Sequence, residues 1–201
     1  SDNGLNGIDV SDTASGFTSF NTFGGGLAFG PAAPNGNDGL LITSTDSATD
    51  PNELTDPNAT PPGNFVQTNV FSGNTNNGIE LAGNASGVDI EPNIVGLTTG
   101  GNAPLPNGGD GLLITDTAHD NTIGGAAPLP PGPPGIPIQS VILNQVFSGN
   151  AGYGIAIAGQ AYDNLVEPDN FVGTGVSGLG PPVNPALGNG AGGILIGGSA
   201  T

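Results

Sequence analysis

The chain has 201 residues, 17 of them acidic, with one histidine and no lysine or arginine, for a formal charge of -17. That balance excludes a polybasic footprint on nucleic acid or anionic lipid, an Arg or Lys grip on phosphate or carboxylate and a Schiff-base lysine. With 38 Gly, 19 Pro and no Cys, long helices, disulfides and thiolate metal sites are excluded too, and no apolar run approaches the ~18 residues of a membrane span.

Taken from the amino terminus, the first apolar phrase is Gly7-Ile8-Asp9-Val10, a glycine followed by aliphatic, variable and aliphatic positions. The phrase returns at Gly39, Gly78, Gly111, Gly154 and Gly193, at spacings of 32, 39, 33, 43 and 39 residues. Behind it lies a longer repeat. Asn35 to Thr43 matches Asn107 to Thr115 at an offset of 72, and Val70 to Asn74 recurs as Val146 to Asn150 at 76. These offsets divide the chain into tandem units 1–71, 72–147 and a truncated 148–201, all within one domain. Three Pro-rich stretches, Ala48 to Asn64, Ala126 to Pro137 and Gly180 to Ala186, absorb the changes in length. Proline cannot donate to a strand ladder, so they are predicted as loop insertions.

Each phrase is followed by further short apolar segments. Thr122-Ile123 and Leu165-Val166 read as second segments, and Phe65-Val66, Ile94-Val95, Val141-Ile142 and Phe171-Val172 as third ones. All are short, rich in Val, Ile, Leu, Phe and Thr, and bounded by Gly, Asn, Asp or Pro, which predicts strands separated by tight turns. In Ile79-Glu80-Leu81 the two aliphatic residues share one face and Glu80 takes the other, so the strand covers a core with one side only. The economical solution is an all-β solenoid of three short strands per coil. At about 4.8 Å per coil, five to six coils give a body about 25–30 Å long. Ile8, Leu40 or Leu41, Ile79, Leu112 or Leu113, Ile155 and Ile194 are predicted to stack down its interior. Asn74, Asn77, Asn84, Asn144 and Asn150 fall at expected turns, where Asn tolerates positive φ and its amide can bond to an equivalent Asn one coil away.

The phrases Asn69-Val70-Phe71-Ser72-Gly73-Asn74, Asn77-Gly78-Ile79-Glu80-Leu81, Asn84-Ala85-Ser86-Gly87 and Asn107-Gly108-Gly109-Asp110-Gly111-Leu112 resemble the pectate-lyase-like right-handed parallel β-helix. More narrowly, they are similar to the Asn- and Gly-rich repeats of large bacterial secreted and surface proteins. The resemblance covers most of the chain outside the Pro-rich inserts and implies a right-handed parallel β-helix. It does not fix an activity, because the fold hosts lyases, hydrolases, adhesins and fibres. Lyases of this kind use an Arg or Lys base, which this chain lacks. Asp38 and Asp110 each precede a glycine, where Asp is ordinary turn chemistry. No catalytic residue and no enzyme activity are therefore expected.

Calcium is the cofactor that the remaining oxygen ligands suit. The candidate ligands are Asp46, Asp50, Glu53 and Asp56 in the first insert, with Asp116 and Asp120 in the second unit. Glu91 and Glu167 sit in matching Glu-Pro pairs and are candidates to stack near Asp169. Asn58-Ala59-Thr60 and Asn84-Ala85-Ser86 are glycan-acceptor patterns. Thr201 aligns with His119 and Ser1 with Ser148, so unbroken repetition would need the equivalent of Asp120 to Phe147, 28 residues, between them. Both ends are predicted to show open strand edges, which fits either a piece cut from a longer array or copies that stack end to end. The function expected is that of a structural subunit, extracellular or at the cell surface, stacking end to end as a homopolymer into a fibre, sheath or stalk. It contacts neither nucleic acid nor the membrane interior. The alternative is an adhesin segment that binds glycans or partner cells.

Overall fold

The computed structural model describes residues 2–12, 14, 16–20, 22–25, 33–44, 63–125, 145–176 and 187–201. Among the described residues, sixteen strands fall into three wholly parallel sheets that wind as a right-handed β-helix. Sheet A has six strands in the order β1 (Ile8–Val10), β4 (Leu40–Ile42), β7 (Ile79–Leu81), β10 (Leu112–Ile114), β13 (Tyr153–Ile157) and β16 (Gly192–Ile196). Sheet B runs β2 (Thr18–Phe20), β5 (Asn64–Gln67), β8 (Val88–Ile90), β11 (Thr122–Ile123) and β14 (Leu165–Val166). Sheet C runs β3 (Phe23–Gly24), β6 (Val70–Phe71), β9 (Ile94–Val95), β12 (Gln145–Phe147) and β15 (Asn170–Val172). Five coils are complete in all three sheets, and β16 alone represents the sixth.

Register follows from alternation, because a slip of one residue would turn every side chain to the opposite face. Ile8, Leu40, Ile79, Leu112, Ile155 and Ile194 are paired rung by rung. Val10, Ile42, Leu81, Ile114, Ile157 and Ile196 form a second column beside them. The sequence left Leu40 or Leu41, and Leu112 or Leu113, open. Leu40 and Leu112 are fully buried, while Leu41 and Leu113 lie in the half-buried outer row with Glu80. Val66, Ile90 and Ile123 from sheet B and Phe71, Val95 and Phe147 from sheet C complete the interior.

Two expectations change. Phe65-Val66 belongs to the second position of its coil, not the third, because Phe65 pairs with Thr18 and Asp89 in sheet B. The long insert before it delays it along the chain, and the true third segment is Val70-Phe71. Val141-Ile142 lies outside the described residues, and the third strand of that coil is Gln145–Phe147. The one-sided pattern of Ile79-Glu80-Leu81 also does not extend to sheet C. There Val70, Ile94 and Val146 face outward, buried with Leu97 and Leu187 in a second apolar cluster, against which Phe171 and Val176 pack. A turn over residues 97–105, closed by Thr98 N–H to Ala103 O (2.9 Å) and Leu105 N–H to Gly96 O (2.8 Å), brings Leu97 onto that face.

Candidate functional site

The corner that precedes sheet A carries one Asn per coil: Asn3, Asn35, Asn74, Asn107, Asn150 and Asn189. Their amides form a continuous ladder, each Nδ2 donating to the Oδ1 of the next coil, at 2.9, 2.8, 2.9, 2.8 and 3.1 Å. The other Nδ2 hydrogen closes the corner by donating to a strand-end carbonyl, as from Asn107 to Phe71 O (3.0 Å) and from Asn189 to Phe147 O (3.0 Å). Asn fits here because it offers two donors and an acceptor on a short stem. A second row at the same corner uses Asn6, Asp38, Asn77 and Asp110. Each accepts a backbone N–H from the coil above, as in Asn77 N–H to Asp38 (2.8 Å) and Tyr153 N–H to Asp110 (2.6 Å).

At the B–C corner the equivalent ladder passes through Asn69, Asn93 and Gln145. It breaks between Gln145 and Asn170, which are register partners. Among the described residues, the buried Nε2 of Gln145 and Oδ1 of Asn170 have no partner.

Of the expected turn asparagines, Asn74 and Asn150 lie in the main ladder. Asn77 serves the second row, Asn84 is exposed at a turn, and Asn144 lies outside the described residues. Asn3, Asn35, Asn107 and Asn189 were not singled out as turn residues, and the signal that finds the whole column is that each Asn lies four residues before the glycine of its phrase.

Carboxylates gather at two places. Asp38 is fully buried, with Oδ1 accepting from Asn76 Nδ2 (3.0 Å) and Oδ2 from Asn37 Nδ2 (2.8 Å). Desolvation raises its pKa despite these bonds. Glu80, one coil on, accepts from Asn77 Nδ2 (2.8 Å), and burial followed by the charge of Asp38 pushes its pKa up too. On sheet B, burial raises Asp89. Burial and then the charge of Asp89 lift Glu91 to about 7, and one buried oxygen of Glu91 has no partner among the described residues. Glu91 and Glu167 do not stack on each other. Gly124 occupies the rung between them, donating to Ile90 O as Glu167 donates to Ile123 O.

Asp46, Asp50, Glu53 and Asp56 lie outside the described residues, as does Asn58. Asp116 and Asp120 are described, and both hold turns at left-handed backbone angles, φ 56° and 53°. Asp116 accepts from Gly83 N–H (3.0 Å), while Asp120 bonds the Nδ1 of His119 (2.8 Å). His119 stacks on Tyr162 of the next coil with ring centroids 4.7 Å apart. Among the described residues, no three His, Asp or Glu side chains are grouped so as to hold a metal ion.

The largest chemical asymmetry is at the two faces of the solenoid. Ile194 and Ile196 occupy interior columns, yet they are 51% and 68% exposed, whereas Ile155 and Ile157 one coil below are 0% and 6% exposed. Comparison with protein-family models, curated proteins and solved structures finds no match.

Proposed function

We propose that this chain is a structural β-solenoid unit of an extracellular or cell-surface fibre, sheath or stalk, built by stacking end to end. The observation that carries the reading is the asparagine ladder that joins Asn3 to Asn189 through every coil, beside aliphatic columns that repeat rung for rung. Coils that repeat one ladder and one core column propagate along a single axis. The Asn- and Gly-rich coils support the likeness to repeats of large bacterial secreted and surface proteins. The lack of Lys and Arg denies trypsin-like proteases a cleavage site, which suits an exposed matrix.

Negative-stain imaging and light scattering over a concentration series test the reading. Filaments, or a mass that rises with concentration, support it. A monodisperse monomer at every concentration above micromolar overturns it, and soluble particles that bind a glycan array would favour the adhesin alternative. Thermal shifts with millimolar calcium against chelator examine the acidic stretch 46–56 and the Asp116 and Asp120 turns independently of assembly.

A further inference from the structure

We propose that Asn77 is a site of spontaneous deamidation, gated by opening of the coil above it, whose product turns the Asn77–Glu80 hydrogen bond into a like-charge contact, whether or not copies stack.

Two structural demands place a labile dipeptide at this corner. Gly78 has no room for a side chain, since a Cβ would lie 2.8 Å from both Asn107 Nδ2 and Gly111 O. The residue before it must accept a backbone N–H from the coil above, a task for the short side-chain oxygen of Asn or Asp. In Asn followed by Gly the next backbone nitrogen reaches the side-chain amide most easily, because glycine has no Cβ to shield it. The reaction balances with water alone. The Gly78 nitrogen gives its proton to solvent and bonds to Asn77 Cγ, the amide nitrogen leaves as ammonia, and a five-membered imide results. Water then opens the imide, at Cγ to give an Asp or at the backbone carbonyl carbon to give an isoaspartyl link.

In the folded chain one residue holds both reacting groups. Asp110, in the coil above, accepts from Gly78 N–H with its backbone carbonyl (3.0 Å) and donates its own N–H to Asn77 Oδ1 (2.8 Å). Asn77 is also buried, which keeps water out. Lifting the coil of Asp110 frees nucleophile and electrophile together.

The α-aspartyl product suits the backbone but not the charges. Asp38 and Asp110 already occupy the equivalent place in their coils and accept the same N–H bond. Across the first four coils, however, this corner residue and the outward residue three places on carry one carboxylate between them: Asn6 with Asp9, Asp38 with Leu41, Asn77 with Glu80, Asp110 with Leu113. Where the corner residue is Asn, its amide donates to the acid, at 3.2 Å from Asn6 to Asp9 and 2.8 Å from Asn77 to Glu80. Deamidation at Asn77 removes that donor and sets a second carboxylate beside Glu80. The other carboxyls around the pair are Asp38 in the coil below, and Asp110 and Asp116 in the coil above. The chain has no Lys or Arg to offset them.

Peptide mapping by mass spectrometry, on the whole chain incubated folded and in concentrated urea, tests the site and its gate. In urea Asn77 should convert together with Asn35 and Asn107, which also precede Gly, ahead of Asn74 and Asn150, which precede Thr and Ala. In the folded chain conversion at Asn77 should slow more than about a hundredfold, and by the same factor as hydrogen exchange at Gly78 N–H. No conversion at Asn77 in urea overturns the site. Folded and unfolded rates that match, or a slowing unlike that of Gly78 exchange, overturns the gate. The variant Asn77→Asp reads the charge contact, with circular dichroism checking its fold. It should melt several degrees below the parent at about pH 8, with a smaller gap at about pH 5. The loss should vanish when Glu80→Leu is also present, which recreates the pairing of Asp38 with Leu41. No loss at about pH 8, or an equal loss with and without Glu80→Leu, overturns the like-charge contact.

Discussion

Asn107 is fully buried and tied to three coils. It accepts from the N–H and Nδ2 of Asn74 below, donates to Asn150 above, and donates to Phe71 O across the corner. Asn107→Ala would leave Asn74, Phe71 and Asn150 with unmet polar groups at once. At about 1–3 kcal/mol for each buried unsatisfied group, with some relaxation, the expected loss is about 3–5 kcal/mol, read from urea unfolding. Asn107→Asp is nearly isosteric, yet it removes both donors and buries a charge in a chain without Lys or Arg, so it should destabilise at least as much at neutral pH and recover on acidification. The same alanine change at Asn189, which is half-buried and makes one ladder bond fewer among the described residues, is expected to cost less. Equal losses at the two positions would show that the column does not act as a column.

The glycine that opens each sheet A strand sets how closely successive coils approach. A Cβ on Gly111 would lie 2.6 Å from Gly154 O and 2.8 Å from Asn150 Nδ2, contacts that backbone and ladder cannot yield without breaking. Gly193 is the second residue of the top strand, and a Cβ there meets only Val172 Cγ1 at 3.7 Å. Gly111→Ala should therefore cost more than about 3 kcal/mol or abolish folding, whereas Gly193→Ala should shift the thermal midpoint only slightly. Chemical denaturation of the pair checks this, and equal effects would remove close approach as the reason for the repeated glycine. At this scale the sequence was easiest to read. Alternation in Ile79-Glu80-Leu81 and the recurring glycine placed sheet A to the residue, apart from Leu40 against Leu41 and Leu112 against Leu113, where consecutive leucines blur a two-residue period. Sheets B and C were harder. Their strands are often two residues long, too short to show alternation, and the inserts shift them along the chain, so Phe65-Val66 was misplaced by one position within its coil. The outward cluster of Val70, Ile94 and Val146 was hidden because apolar residues on both faces of a two-residue strand look the same as a buried pair. The acidic pair Asp38 with Glu80 depends on how coils stack, which local sequence does not display, whereas Asp89 and Glu91 are two residues apart and meet locally.

Across the whole molecule, the charge of -17 meets no Lys or Arg, and among the described residues the one contact at salt-bridge distance is the hydrogen bond of His119 with Asp120. Folding brings carboxylates together and removes some from water, so Asp38, Glu80, Asp89 and Glu91 all have pKa values raised by burial, Glu91 from 4.5 to about 7. The sign follows from linkage. Between the unfolded and folded values the native state binds more protons than the unfolded state, so stability falls as pH rises through that window. For Glu91 the window runs from 4.5 to about 7. The molecule is thus expected to melt at a higher temperature at pH 5 than at pH 8, opposite to a protein whose carboxylates are held by salt bridges. Calorimetry across that range in constant salt reads the slope. Part of it comes from long-range repulsion, which salt screens, and part from the buried groups, which salt screens less. Glu91→Gln should separate the two. It should raise the midpoint at pH 8, leave it nearly unchanged at pH 5 and flatten the profile at both low and high salt. If the glutamine variant keeps the full slope, desolvation at Glu91 is not its source; if the parent protein melts higher at pH 8, the burial of uncompensated carboxylates does not govern its stability.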